Sequence, residues 1–155
     1  MGLVYFDDIN VGDSWTSSNL VVDREEMLAY NRANDPWPMH VDAAAAARSP
    51  FGSLIASGGY TITLTYRLGA QIWMHPDRTW ANLGGLEWNV KFREAVRAGD
   101  RLRVRFTITD KRQSSKPGRG IVKGLIETID DNDRVVMSID SVVLTATRSS
   151  GSFAQ

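Results

Sequence analysis

The chain has 155 residues, 43% of them hydrophobic and 23% charged, a globular balance that argues against disorder and gives a single domain by length. Lysine plus arginine and aspartate plus glutamate both number 18, so there is no basic excess to hold a phosphate backbone, and nucleic acid is not an expected partner. There is no cysteine and there are only two histidines, which removes thiolate metal sites, disulfides and cysteine nucleophiles and leaves a histidine-rich metal centre improbable.

No run approaches the roughly 18 apolar residues of a membrane span, and the N-terminus lacks a basic stretch leading into an apolar one, so the expectation is a soluble cytoplasmic protein with no membrane partner. Leu3 to Phe6 and Asp13 to Val22 read as an opening strand region around the turn Val11-Gly12-Asp13. Asp23 then precedes Arg24-Glu25-Glu26, an N-cap with acidic residues in the first turn, and a helix is predicted through Met27, Leu28, Tyr30 and Ala33 to Asn34.

The segment Asp35-Pro-Trp-Pro-Met-His40-Val-Asp42 follows. Proline fixes φ and disfavours helix at the residue before it, so Asp35 to Met39 is expected to be ordered and extended, leading into a second helix. His40 lies five residues after a carboxylate, and an imidazole that titrates near neutral pH beside an acid can activate water. The competing assignment gives Asp35 the C-cap of one helix, Asp42 the N-cap of the next, and packs His40 between them.

Asp42 opens the short helix Ala43 to Ala47, which Ser49-Pro50-Phe51-Gly52 breaks. Leu54 to Gly59 then introduces the longest helical pattern, Tyr60, Ile62, Leu64, Leu68, Ile72 and Trp73, apolar over most of its surface and so expected to be buried. It is predicted to end near His75-Pro76, with His75 beside an unpaired helix-end carbonyl. Gly84 to Phe92, Leu102 to Ile108, Gly120 to Ile129 and Arg134 to Thr147 read as a meander of antiparallel strands. Leu102, Val104, Phe106 and Ile108 alternate with Arg101, Arg103, Arg105 and Thr107, one buried face and one wet face. The turns between neighbours are Ala98-Gly99-Asp100 and Asp131-Asn132-Asp133. The fold class is α+β, an antiparallel sheet wrapped around one helix, with the domain over residues 1–148 and a frayed tail over 149–155.

This order resembles the MaoC-like dehydratase family of hotdog-fold proteins, which includes the (R)-specific enoyl-CoA hydratases. The likeness is carried by Phe6-Asp-Asp-Ile-Asn-Val-Gly12-Asp13, by the Asp35 to Asp42 segment, by Ser49-Pro-Phe-Gly-Ser-Leu-Ile-Ala-Ser57-Gly58 and by Val96-Arg-Ala-Gly-Asp100. The resemblance implies that Asp35 and His40 are catalytic and that Gly58, which opens the central helix, offers a backbone N–H to the thioester oxygen. The reaction it implies is reversible hydration of a trans-2-enoyl-CoA to an (R)-3-hydroxyacyl-CoA, without a metal or redox cofactor, coenzyme A being part of the substrate. A dehydratase of a short branched or dicarboxylic acyl-CoA, and a non-catalytic acyl-thioester-binding subunit, are the alternatives. Trp37 stands where many hydratases carry Asn and Ser57 where they often carry His, so Trp37, Ser57 and Gly59 are candidate pocket residues. Lys91, Arg93, Arg97, Lys116 and Arg119 are the cations available for coenzyme A. A homodimer, or an assembly of dimers, is expected, with Trp73, Trp80 and Trp88 as candidate anchors.

Overall fold

The computed structural model describes residues 2–150. Its spine is α4 (Gly58–Trp73), preceded by α1 (Arg24–Asn34), α2 (Pro38–Val41) and α3 (Ala43–Ala47). The large sheet runs in the order β2 (Ser14–Thr16), β7 (Arg101–Gln113), β8 (Arg119–Asp130), β9 (Val135–Ala146), β6 (Asn82–Phe92), and β3 (Leu20–Val21) also pairs with β7. All of its pairings are antiparallel. Leu102, Val104, Phe106 and Ile108 are buried against α4, while Arg103 and Arg105 pair with Asp133 and Glu127 on the wet face. The Thr65 and Thr128 hydroxyls, 2.6 Å apart and buried, tie α4 to β8. A sheet curled over one long helix is the expected hotdog layout, and among the described residues no helix is long and apolar enough to cross a membrane.

Four details differ from the sequence reading. The strands are not a simple meander: β6 pairs with β9, so the chain crosses from one edge of the sheet to the far side before β7. The opening region is broken. β1 (Gly2–Val4) pairs in parallel with β5 (Arg78–Trp80) in a small second sheet that also holds β4 (Met74–His75). Consequently α4 stops at Trp73, and His75 lies in β4, its Nδ1 accepting from the Asp77 N–H at 3.2 Å rather than capping a helix. On α4, Tyr60, Leu64, Leu68 and Ile72 are buried, but Tyr66 on the other face is exposed: the sheet covers only half of the helix. Finally, Arg148–Ser150 form a 3-10 turn tied down by Arg148 to Asp8, so the expected frayed tail begins no earlier than residue 151, and its remainder lies outside the described residues.

Candidate active site

The site starts from the end of α1. Pro36 disfavours helix at the residue before it, so Asp35 becomes the C-cap, its N–H donating to the Asn31 carbonyl at 2.8 Å. Pro38 then occupies the first position of α2, where its missing N–H costs nothing. Residues 38 and 39 are therefore helical, not extended as expected, and one turn of helix swings His40 back towards Asp35. His40 Nε2 lies 3.6 Å from Asp35 Oδ2, with the imidazole buried and the carboxylate partly exposed. Asp42 caps α3 by accepting from the Ala44 and Ala45 N–H groups. Both capping assignments hold, and they are what brings the histidine and the acid together.

The other ring nitrogen, Nδ1, is 3.0 Å from the Ile55 carbonyl. A carbonyl only accepts, so Nδ1 carries the proton, and a neutral ring presents its lone pair on Nε2, facing Asp35. That frame is itself held by Asn31, which is 0% exposed. Its Nδ2 donates to the His40 carbonyl at 3.0 Å and the Ile55 carbonyl at 3.2 Å, and its Oδ1 accepts from the Ser57 N–H at 3.1 Å. One amide thus fixes the backbone of the histidine, the acceptor of its ring and the residue before α4. The sequence reading missed Asn31. Its signal was present, because Asn31 falls three and four residues after the buried Leu28 and Met27, a polar residue on the apolar stripe of α1.

Ser57 is the N-cap of α4: its hydroxyl accepts from the Tyr60 N–H. Gly58 and Gly59 are the first two helical residues, whose N–H groups have no intrahelical acceptor, and no other acceptor is recorded for them among the described residues. The helix dipole adds positive potential at the same place. A Cβ on Gly58 would stand 2.7 Å from the Phe92 ring, and one on Gly59 2.9 Å from the Tyr30 hydroxyl, so both positions also serve close packing. Trp37 is 64% exposed.

The five candidate cations separate by position. The Val96 carbonyl accepts from the Ala56 N–H at 2.8 Å, which puts Arg97 beside the run into α4; its guanidinium donates to Ser53 Oγ and the Phe51 carbonyl, both at 2.9 Å. Arg93 follows Phe92 and donates to Ser138 Oγ. Lys91 pairs with Asp140. Arg119 begins β8 at the end opposite Asp130, roughly 36 Å of strand away, with Lys116 in the turn before it. Trp73, Trp80 and Trp88 wall a pocket between α4 and the sheet that is partly open to solvent. Among the described residues no cluster of metal-ligating side chains occurs.

A family model described as "MaoC like domain" matches residues 11–128, which include every residue of this cluster. The chain is 26% identical over 139 residues to the uncharacterised protein YdeM of Bacillus subtilis, covering 89% of this chain and 96% of that protein. Among solved structures, the MaoC-like dehydratase from Rhodospirillum rubrum superposes with a TM-score of 0.84 at 28% identity, over 94% of this chain and 98% of the other. The (R)-hydratase PhaJ1 of Pseudomonas aeruginosa has the same fold, with a TM-score of 0.72 at 19% identity over 93% of this chain and 86% of its own.

Proposed function

Because the chain belongs to the MaoC-like domain family, we propose that it is a hydro-lyase that adds water to a trans-2-enoyl-CoA, giving a 3-hydroxyacyl-CoA of the (R) hand, or runs that reaction in reverse. The observation that carries this reading is the His40 ring, with its protonated Nδ1 locked on a carbonyl and its basic Nε2 turned to a carboxylate 3.6 Å away. That separation is too long for a direct hydrogen bond, so both groups keep lone pairs free to face one water from the open side of the pair. In hydration, Nε2 takes a proton as the water oxygen bonds to C3. The C2–C3 π pair moves towards C1, and charge collects on the thioester oxygen. The Asp35 carboxylate stabilises the imidazolium, which returns the proton to C2 from the same side, so the addition is syn.

The developing enolate is met by the free N–H groups at the start of α4, Gly58 first, with no reorganisation required at the moment of reaction. We assign the phosphates of coenzyme A to Arg93 and Arg97, which follow Phe92 and flank the run into α4, rather than to Lys116 and Arg119 at the far end of β8. The reading calls on no metal and no redox cofactor, since proton transfer and charge stabilisation supply the whole step.

Loss of the conjugated enoyl-thioester absorbance, with crotonyl-CoA and longer trans-2-enoyl-CoA esters, tests this directly. Turnover with formation of the (R)-3-hydroxyacyl product is expected. Tight binding of the same esters with no turnover would instead mark a non-catalytic thioester-binding subunit.

A further inference from the structure

Beyond the Asp35/His40 cluster, a cavity of about 130 Å³ lies near the far end of α4, walled by the rings of Tyr66, Trp73, Trp80, Trp88 and Phe106. It is smaller than the roughly 150 Å³ dry cavity that holds a benzene molecule, so it fits a fragment of a few heavy atoms. One helical face leads to it. Gly58, Ile62, Tyr66, Gly69 and Trp73 recur at the spacing that places side chains on one stripe. β6 runs beside that stripe in the opposite sense: Phe92 abuts Gly58, Trp88 stacks on Tyr66 at 4.8 Å, and Gly85 and Asn82 reach the cavity together with Trp73. The cavity therefore begins about 12 Å along the helix from the free N–H groups.

Its lining carries no charged side chain. In that lining Ser141 donates to the Gly124 carbonyl at 2.9 Å, and Asn82 Oδ1 accepts from the Gly84 N–H at 2.8 Å. Thr145, the cross-strand partner of Asn82, is 0% exposed, and its hydroxyl is the one buried side-chain polar atom without a partner among the described residues. An orphaned buried hydroxyl costs free energy unless something else satisfies it. β6 also breaks register twice here, between Asn82 and Gly84 and between Gly85 and Glu87, as strands do where a site must be opened. A Cβ built on Gly85 meets nothing within 4 Å.

We propose that this cavity receives the distal end of the acyl chain and selects an uncharged tail that ends in a hydrogen-bonding oxygen, a hydroxyl or a carbonyl, held by Thr145. The inference rests on the hydro-lyase reading and narrows its substrate class. A terminal carboxylate would lie among rings with no counter-charge, which ranks dicarboxylic acyl groups below uncharged ones. A plain alkyl tail fills the space but leaves Thr145 unsatisfied.

The test compares plain, ω-hydroxy and ω-carboxy trans-2-enoyl-CoA esters of octenoyl, decenoyl and dodecenoyl length, with crotonyl-CoA as a substrate that ends short of the cavity. At the best length, kcat/KM should rank ω-hydroxy above plain and plain above ω-carboxy. Thr145→Val should lower the ω-hydroxy to plain ratio by roughly tenfold or more. Gly85→Val, which fills open space without a clash, should cut the long esters relative to crotonyl-CoA. Hydration of crotonyl-CoA with ω-carboxy esters equal to ω-hydroxy, or with a ratio that Thr145→Val does not move, overturns the cavity assignment alone. Failure to hydrate any ester, crotonyl-CoA included, overturns the hydro-lyase reading. Tryptophan emission then reads the cavity without turnover: a response to 1-butanol but not to butanoate, lost in Thr145→Val, sustains it, and equal responses overturn it.

Discussion

Asn31 and Gly58 are the residues on which the geometry of the site depends most. Replacing Asn31 with Ala takes a partner from the buried His40 carbonyl and Ser57 N–H, and leaves the Ile55 carbonyl with the His40 ring alone, at roughly 1–3 kcal/mol for each group that stays unsatisfied. The ring of His40 is then held only by an Ile55 carbonyl that is itself less well fixed. Asn31→Ala should therefore lower kcat by as much as roughly 10²-fold, with KM changed much less, and should alter the pH profile of kcat/KM in protein that remains folded. An unchanged kcat and pH profile would make Asn31 a packing residue only. Gly58 has two possible reasons to be glycine, and they separate experimentally. Gly58→Ala puts a Cβ 2.7 Å from Phe92 Cζ and also crowds the N–H proposed to meet the thioester oxygen. Activity should fall at least roughly tenfold, part of the 10²–10³ typical for loss of an oxyanion donor, and Phe92→Ala in the same chain should not bring it back. Recovery in the double variant would show that the ring contact was the whole reason. Asp35 and His40 drew attention by their spacing and Gly58 through the family resemblance; Asn31 did not, because an asparagine within a helix reads as surface until its stripe is followed.

At the level of elements, α1 is clamped to α4 by Glu26. The carboxylate accepts from the Tyr60 hydroxyl at 3.1 Å and from the Arg67 guanidinium. The Arg67 hydrogen bond, against some desolvation, holds the Glu26 carboxyl below its ordinary value, and burial pushes the Tyr60 phenol up. A carboxyl that is more acidic when folded binds fewer protons in the native state than in the unfolded one. Its stabilisation is full above the ordinary glutamate value of about 4.3 and is lost as pH falls through the folded value. Glu26→Gln should lower the urea midpoint at neutral pH and flatten its fall below about pH 4.5, only in part because Asp8 and Asp130 are also held low. Parallel curves for the two proteins would contradict this. The same scale shows where sequence reading stops. The N-caps at Asp23 and Asp42, the apolar pattern of α4 and the alternation of β7 are local; they located α1 and α3, placed the ends of α4 within two residues, and found the start of β7 but not its end, which runs on to Gln113. The pairing of β6 with β9 and of β1 with β5 is set by how the sheet curls around α4, a long-range packing choice that no window of residues contains.

For the whole molecule, the sheet ends at β6, and among the described residues nothing pairs with its outer edge. Leu86 and Phe92 on that strand are 57% and 58% exposed, and Tyr66 is exposed beside them. A long apolar edge left open invites pairing with another chain, so a homodimer joined along β6 is expected, the second copy lying close to Gly58 through Phe92. Light scattering should give twice the 17.2 kDa of one chain at micromolar concentration, and Leu86→Lys should shift it towards one chain. A monomer in the unaltered protein would contradict the dimer and leave the site to one chain. The central claim is that Asp35 and His40 act on one water, and it is tested most directly by enoyl-CoA hydration in Asp35→Asn, His40→Ala and the double variant. Each single change should cost at least roughly 10²-fold in kcat, and the double variant should be little worse than either, because the two groups serve the same step. Near-full turnover in either folded single variant would contradict the assignment.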